Sequence, residues 1–307
     1  ILDKARNVTA YAEGMESDYY SFEFLLKNAR LWEPDDPYMY TCRVTFGEDI
    51  RYERFGIRQI ECDAEKGFCV NGKRIILKGA CIHSDNGILG ACSYPFAERR
   101  KVQILKECGY NAIRCAHNPG AKAFLDACDE QGMLVLDEYT DGWYIHKTKY
   151  DYADRIMNNY KEDMRAMVDK DFNHPSVIMY STGNEVSETA QKKGIKLCGE
   201  MTEWLHELDD TRPVTCGINI FFNFLSSMGF GVYSDKKADE AVKDATKKKA
   251  VGSEFYNTVA RIFGAGFMKT GATLHACDVK TRDAYARMDI AGYNYGIKRY
   301  RHDLKKY

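Results

Sequence analysis

A carboxylate follows directly on a predicted buried strand near the middle of the chain. The run Val177–Val186 reads VIMYSTGNEV, and its apolar and β-branched start is typical of a strand buried on both faces. It ends in Gly183-Asn184-Glu185, so both polar side chains come just past the carboxyl end of that strand. In α/β folds this edge of the sheet usually carries the chemistry. Glu185 is therefore a candidate catalytic acid, although an acid facing the positive end of a following helix fits the same position.

Further polar and aromatic residues follow the other predicted strands. Each has a structural alternative, such as an ion pair for Arg114 or a turn at His117-Asn118-Pro119. Together they are hard to explain by packing, because the carboxyl ends of parallel strands meet at one edge. An aromatic ring beside carboxylates and amides suits a sugar, which offers a face for stacking and hydroxyl groups for hydrogen bonds. The candidates are His83, Asp85, Arg114, His117, Asn118, Glu138, Asp141, Trp143, Tyr293, Asn294 and Tyr295.

The elements that would position these side chains alternate between strand and helix. A hairpin with an Asn-Gly turn is predicted at 68–74. Because βα units build a parallel sheet, the alternation predicts an α/β fold with six strands, two fewer than a closed (β/α)₈ barrel. Strands are predicted at about 75–83, 111–115, 133–136, 177–182, 213–216 and 288–293, and helices at about 97–108, 122–131, 153–171 and 190–208.

Residues 1–59 have a different, all-β composition. Strands are predicted at Tyr19–Leu26, Met39–Phe46 and Arg51–Ile60, with a turn-rich break at Trp32–Pro37. This stretch is too short for a full sandwich, so it is interpreted as the C-terminal part of a β-sandwich domain.

Residues 218–287 interrupt the βα pattern before the sixth strand. They contain an aromatic stretch with Phe221, Phe222 and Phe224, and the lysine-rich segment Asp235–Lys249. That segment is predicted to form a solvated surface helix, and a basic binding patch is the alternative.

The composition excludes several classes of protein. Of 307 residues, 45% are apolar and 29% charged, and the net charge of −1 argues against nucleic-acid or anionic-membrane partners. No apolar run approaches the roughly 18 residues that span a bilayer, and no signal peptide is visible. The eleven cysteines are odd in number and lack C-x-x-C zinc spacing, which favours a reducing compartment and predicts a cytoplasmic protein. No cofactor is predicted.

Nine short motifs follow one another along the chain. They are Phe55-Gly56-Ile57-Arg58, Asn71-Gly72-Lys73, Lys78-Gly79 to His83, Glu98-Arg99-Arg100, Asn111-Ala112-Ile113-Arg114 with His117-Asn118-Pro119, Cys128-Asp129, Asp137-Glu138, Asn173-His174-Pro175-Ser176-Val177 and Gly183-Asn184-Glu185. In this order they resemble glycoside hydrolase family 2, the family of β-galactosidases, β-glucuronidases and β-mannosidases. The resemblance covers about Tyr19 to the C-terminus and is greatest to bacterial sequences labelled β-galactosidase.

The resemblance implies a TIM-barrel catalytic domain over residues 60–307, truncated to about six strands, preceded by the end of an immunoglobulin-like β-sandwich over 1–59. It implies retaining hydrolysis by two glutamates about 5–5.5 Å apart. The expected reaction releases terminal β-D-galactose from β-galactosides in carbohydrate metabolism. A β-glucuronidase and a non-catalytic sugar-binding protein on a decayed barrel remain alternatives.

The resemblance also implies roles for single residues. Glu185 would be the acid/base, Asn184 would bond the sugar 2-hydroxyl, and Tyr295, with Tyr293 second, would donate to the nucleophile. The sugar subsite would be lined by His83, Arg114, His117, Asn118, Asp141 and Trp143.

The nucleophile itself is expected beyond Tyr307, so this chain alone is expected to be inactive. The full-length protein is expected to be a homo-oligomer. Val251-Gly252-Ser253-Glu254 resembles the nucleophile's local pattern, but Glu254 is interpreted as an ordinary residue of an inserted segment. Some members of the family hold Mg²⁺ through an acid and a histidine just after the third strand. Here the first histidine after Glu138 is His146, so no metal is predicted.

Overall fold

The fold is that of a computed structural model, which describes residues 1–14, 21–229, 258, 261–262 and 264–306. The predicted lysine-rich helix Asp235–Lys249 and the alternative nucleophile Glu254 lie outside the described residues.

An antiparallel hairpin begins the ordered β-structure. Strand β1 (Tyr40–Phe46) pairs with β2 (Asp49–Phe55). The strand expected at Tyr19–Leu26 is wrong over its described part, because residues 21–26 have no strand pairing and the side chain of Leu25 is exposed.

The strand expected at Arg51–Ile60 is divided in two. Strand β2 ends at Phe55, and residues 56–59 are irregular. A Cβ on Gly56 would lie 2.6 Å from Cγ of Pro175, and the Arg58 guanidinium donates to the carbonyls of Pro175 at 3.1 Å and Val177 at 3.0 Å. These contacts with residues 175–177 fix the segment in place of strand pairing.

A small antiparallel sheet follows. It consists of β3 (Ile60–Asp63), β4 (Gly67–Val70) and β5 (Lys73–Arg74). Asn71 and Gly72 turn the chain between the last two strands with φ of 52° and 73°. Two positive φ values are what a type I′ turn requires, so the predicted Asn-Gly hairpin is confirmed.

The main sheet is a half-barrel of six parallel strands, which confirms the predicted fold class and strand count. The order of the strands in the sheet follows their order along the chain. The strands are β6 (Gly79–Ile82), β7 (Ala112–Cys115), β8 (Leu134–Glu138), β9 (Val177–Asn184), β10 (Val214–Asn219) and β11 (Ile290–Asn294).

Helices connect these strands. The predicted bounds of α2 and α3 are confirmed, whereas α1 begins two residues earlier than predicted, with its proline in the first turn. Between β10 and β11, the longer described stretches form helices. The helices are α1 (Pro95–Glu107), α2 (Lys122–Gln131), α3 (Ala153–Asp171), α4 (Lys192–Leu208), α5 (Ile220–Ser227), α6 (Ala265–Gly271), α7 (His275–Tyr285) and α8 (Arg299–Lys306).

Strands β9 and β10 are the most deeply buried strands described. Every residue of β9 and every residue of β10 is buried. Helix α4 packs Leu197, Met201 and Leu205, spaced four residues apart, into the same core. The prediction that β9 is buried on both faces is confirmed.

By its internal contacts the chain divides into two compact units. The first comprises Ile1–Cys115, Gly120–Leu136 and Asp169–Ile178. The second comprises Ala116–Pro119, Asp137–Val168 and Met179–Tyr307. The predicted domain boundary after residue 59 stays a prediction.

The eleven cysteines, all within the described ranges, are free thiols. Among the helices of residues 1–14, 21–229 and 264–306, none combines the length and the apolar character that crossing a membrane requires.

Candidate active site

Glu185 lies at the carboxyl end of β9 in a strained backbone conformation. Its φ is 45°, in the left-handed region that non-glycine residues rarely adopt, and only 7% of the residue is exposed. Nδ2 of Asn219 donates to Oε2 of Glu185 at 3.4 Å. The same Asn219 accepts at Oδ1 from the backbone N–H of Phe222 and so begins α5. The helix cap thereby aims an amide donor at the candidate acid.

Asn184 is held at both ends of its side-chain amide. Its Nδ2 donates to Oδ1 of Asp141 at 2.9 Å, and its Oδ1 accepts from Nδ2 of Asn294 at 2.8 Å. The backbone N–H of Asn184 also donates to the carbonyl of Asp141 at 3.2 Å. The orientation of this amide is therefore fixed by residues that follow β8 and end β11.

Lys147 brings a positive charge to the same place. Its Nζ donates to the carbonyl of Asp141 at 2.8 Å, to Oδ1 of Asp141 at 2.9 Å and to the carbonyl of Asn184 at 2.6 Å. Burial by itself raises the pKa of Asp141, but the charge of Lys147 and the hydrogen bond from Asn184 outweigh burial and lower the pKa. Asp141 is therefore a carboxylate at neutral pH.

Glu138 and His117 form a second polar pair beside Asp141. The Glu138 side chain has no exposed surface; its Oε1 lies 2.5 Å from Nδ1 of His117, and its Oε2 accepts from the Ser181 hydroxyl at 2.7 Å. Nε2 of His117 lies 4.0 Å from Oδ1 of Asp141. The imidazole thus stands between two carboxylates, one buried and one half-exposed.

Trp143 does not offer a sugar an open face, contrary to the sequence expectation. The residue has no exposed surface, and its indole N–H donates to the carbonyl of Thr182 at 2.9 Å. A Cβ on Gly183 would lie 2.9 Å from the indole nitrogen. The ring packs against the end of β9 and so supports the strand that leads to Glu185.

The two candidate phenols differ in their surroundings. The Tyr293 hydroxyl donates to Oδ2 of Asp303 at 2.5 Å, and burial together with this bond raises its pKa. Tyr295 is 38% exposed and has a φ of 58°, so it shares the left-handed conformation of Glu185. Of the two phenols, Tyr295 is the more accessible from solvent.

These contacts all lie within the second unit. Comparison with known proteins identifies the family of the chain. The family model described as glycosyl hydrolases family 2, TIM barrel domain, matches residues 62–273, and the one described as glycosyl hydrolases family 2 matches residues 2–58. The chain belongs to glycosyl hydrolases family 2. The resemblance stated from the sequence is therefore confirmed.

Curated relatives within family 2 carry two different activity names. The chain is 38% identical over 245 residues to β-galactosidase BoGH2A of Bacteroides ovatus, covering 68% of this chain and 29% of that protein. It is 33% identical over 216 residues to a putative β-glucuronidase of Formosa agariphila, covering 68% of this chain and 20% of that protein. The chain thus spans less than a third of the length of either relative.

Solved family 2 structures agree with the fold. A family 2 member from Bacteroides cellulosilyticus superposes with a TM-score of 0.72 at 34% identity, covering all of this chain and 34% of that one. A β-D-glucuronidase from Dictyoglomus thermophilum gives 0.62 at 29% identity, covering 71% and 38% of the two chains.

The remaining predicted family 2 residues lie elsewhere. His83 and Arg114 belong to the first unit, where His83 is exposed and an Arg114 nitrogen lies 3.5 Å from Sγ of Cys81. Asn118 is exposed and donates to the carbonyl of Pro119 at 3.1 Å. Their roles in a sugar subsite stay predictions. The residues that the structure brings together are His117, Asp141, Asn184 and Glu185.

Sequence reasoning missed two residues beside this group, Lys147 and Glu188. Glu188 is 2% exposed in the short 3₁₀ turn Ser187–Ala190. Its Oε1 accepts from the backbone N–H of Ile145 at 2.8 Å, and burial raises its pKa. Neither residue has a sequence signal, because a lysine in a polar loop and a glutamate in a helical turn are ordinary.

One group in the first unit has metal-ligand side chains. The ligand atoms of Asp126, Asp129 and His174 lie within 4.8 Å of one another. However, Asp129 bonds Nδ1 of His174 at 2.6 Å, and Asp126 pairs with Arg54 at 3.0 Å and Lys122 at 3.1 Å. Hydrogen bonds and cations already occupy these carboxylates, so we interpret the group as a structural network.

Proposed function

We propose that the protein is a retaining glycoside hydrolase that acts on β-linked sugars, with Glu185 as its acid/base. The observation that carries this proposal is the position of Glu185, a nearly buried carboxylate at the carboxyl end of β9, directly after an asparagine with a fixed amide. In family 2 chemistry this residue protonates the leaving oxygen and then removes a proton from the incoming water.

Asn184 is the proposed contact for the sugar 2-hydroxyl. A hydrogen bond to this hydroxyl strengthens as the oxocarbenium-like transition state forms, so its donor must be held in place beforehand. The bonds from Asn184 to Asp141 at 2.9 Å and from Asn294 at 2.8 Å support such a preorganised role.

The nucleophile is proposed to be a residue other than those described at this site. Glu138 is another glutamate at the carboxyl end of a strand, yet its side chain has no exposed surface and both of its oxygens are engaged, by His117 and Ser181. Tyr295 is the proposed phenol for contact with the nucleophile, since the Tyr293 hydroxyl is already bonded to Asp303.

A galactoside is the proposed substrate, and a glucuronide is the alternative. The Lys147 ammonium faces Asp141, so its charge is neutralised within the protein instead of facing a sugar carboxylate. This neutralisation favours a neutral sugar. The glucuronide is retained because relatives named β-glucuronidase share the family and fold.

The proposal is tested with the product of the complete reading frame. 4-Nitrophenyl β-D-galactoside and β-D-glucuronide are assayed with wild type and Glu185→Gln, and the anomer formed first is read by NMR. Faster cleavage of the galactoside, first formation of the β-anomer and loss of activity in Glu185→Gln are expected. Cleavage of neither glycoside, or an unchanged rate in Glu185→Gln, contradicts the proposal.

A further inference from the structure

The Lys147 ammonium donates to three oxygen atoms of two residues, Asp141 and Asn184. The acceptors are the carbonyl and Oδ1 of Asp141 and the carbonyl of Asn184, at 2.8, 2.9 and 2.6 Å. The side chain is 11% exposed, which limits the competition from water for these oxygens.

Two of these acceptors belong to the backbone that sets the conformation of Glu185. The N–H of Asn184 donates to the same Asp141 carbonyl at 3.2 Å, and the Asn184 carbonyl belongs to the peptide unit that leads into Glu185. Glu185 then has a φ of 45°. Such a conformation is unfavourable for a residue other than glycine and persists only where its surroundings over-determine it.

The loop that presents Lys147 is itself anchored on both sides. Oδ2 of Asp151 accepts from the backbone N–H groups of Lys147 at 2.7 Å and Thr148 at 3.0 Å. On the other side, Oε1 of Glu188 accepts from the N–H of Ile145 at 2.8 Å. Because the backbone on either side of the side chain is fixed, the ammonium is delivered to one place at little further entropic cost.

We infer that Lys147 is a positioning residue, whose ammonium holds Asp141 and the end of β9 so that Glu185 meets the glycosidic oxygen in the correct orientation. This inference rests on the proposed function. Lys147 itself transfers no proton and touches no substrate; it acts through Asp141, Asn184 and Glu185.

Positioning and simple stabilisation have different kinetic consequences. A poor leaving group such as phenol needs the proton from Glu185, whereas a good one such as 2,4-dinitrophenol leaves almost without it. A misplaced acid therefore lowers kcat/KM for the phenyl glycoside more than for the dinitrophenyl glycoside. A merely destabilised protein has fewer active molecules and loses both rates by the same factor.

The test compares three variants of the protein from the complete reading frame. Lys147→Met keeps the length of the side chain but removes the charge and the donors, and Lys147→Arg keeps the charge on a planar group that fits three convergent oxygens poorly. Lys196→Met is the matched control, because Lys196 pairs with Glu200 on the exposed face of α4. The readouts are the ratio of kcat/KM for dinitrophenyl to phenyl glycoside and amide hydrogen exchange at Asn184–Val186.

We expect Lys147→Met to raise this ratio by about tenfold or more, given the sensitivity of general acids to placement, and to speed exchange at Asn184–Val186. Lys147→Arg should give a smaller rise and Lys196→Met none. An unchanged ratio in Lys147→Met overturns the inference; should that variant not fold, an unchanged ratio in Lys147→Arg does so.

Failure of the proposed function has a different signature. If the wild type cleaves no glycoside, or Glu185→Gln is as active as wild type, the proposed function is wrong. Amide hydrogen exchange then tests by itself whether Lys147 fixes the end of β9. Faster exchange at Asn184–Val186 in Lys147→Met supports this role, and unchanged exchange overturns it.

Discussion

The side-chain amides of Asn294 and Asn184 are joined by one hydrogen bond, in which Nδ2 of Asn294 donates to Oδ1 of Asn184 at 2.8 Å. This bond leaves the Asn184 amide nitrogen to donate to Asp141 at 2.9 Å. The orientation of the Asn184 amide is thus fixed by a residue 110 positions away in the chain.

Removal of this bond should cost activity more than stability. In Asn294→Ala the Oδ1 of Asn184 loses the N–H donor that fixes the amide, so we expect kcat/KM to fall by roughly tenfold, within the range for a misplaced binding group. Asn158→Ala, an exposed position on α3, is the control. The rates are measured with aryl β-glycosides, and a variant that keeps more than half of the wild-type kcat/KM contradicts a positioning role for Asn294.

Glu188 gives a prediction on stability. Burial raises its pKa, so the folded state binds a proton more tightly than the unfolded state, and the carboxylate opposes folding above the unfolded pKa. Glu188→Gln keeps an oxygen for the Ile145 N–H and removes the charge. Its melting temperature should therefore equal or exceed that of the wild type at neutral pH, with a difference that shrinks as the pH falls.

Glu188→Ala is the matched comparison, because it loses the acceptor as well as the charge. It leaves the Ile145 N–H without the bond at 2.8 Å, which should cost about 1–3 kcal/mol of unfolding free energy. Equal destabilisation by Gln and Ala at neutral pH shows that the carboxylate itself is required, and refutes the role given to burial.

His146 should stabilise the Lys147 loop in a pH-dependent manner. Burial alone lowers its pKa, but hydrogen bonds with Asp154 and Asp151 outweigh burial and raise it. A group with a raised folded pKa stabilises fully below its unfolded pKa of about 6.5 and loses that effect as the pH rises through the folded pKa.

The melting temperatures of wild type and His146→Asn should therefore differ most near pH 5.5 and converge at alkaline pH. His275→Asn is the control, since the His275 side chain is 73% exposed and its Nδ1 lies 3.9 Å from Oδ2 of Asp278. A difference that stays constant or grows with pH rules out a stabilising imidazolium at His146.

Gly194 should tolerate no side chain. A Cβ at this position in α4 would lie 2.0 Å from the carbonyl oxygen of Glu188, and backbone cannot move away as a flexible side chain does. Gly194→Ala is expected to cost about 1–3 kcal/mol of unfolding free energy, as overpacking does. In Gly266→Ala on α6 the new Cβ meets nothing within 4 Å, so chemical denaturation should show no loss and a gain up to about 1 kcal/mol.

Elements with strong local signals were predictable from the sequence. Helices α2 and α3 have the predicted bounds because their apolar spacing and flanking breakers agree. Strand β9 is buried over all eight residues, as its apolar run indicated. The placement of Asn184 and Glu185 at its end followed from the general rule for parallel sheets, which needs no detail of the surroundings.

Elements that depend on distant contacts were not predictable. Residues 21–26 have strand composition but no strand pairing, and the division of 51–60 reflects contacts of Gly56 and Arg58 with residues 175–177. Lys147 and Glu188 belong to the site through single long-range contacts, which leave no periodic trace in the sequence. Trp143 is aromatic and follows β8, but only the packing around Gly183 shows that its ring is enclosed.

The assignment of Glu185 as the acid/base is tested most directly by measuring the kcat/KM of Glu185→Ala with aryl glycosides whose phenols differ in pKa. An acid/base role predicts a loss of about 10²–10⁴-fold for the phenyl glycoside and little loss for the 2,4-dinitrophenyl glycoside. It also predicts that azide, a nucleophile that needs no general base, restores turnover and yields the β-glycosyl azide. A loss that is equal for both leaving groups, or no loss at all, contradicts the assignment of Glu185 as the acid/base.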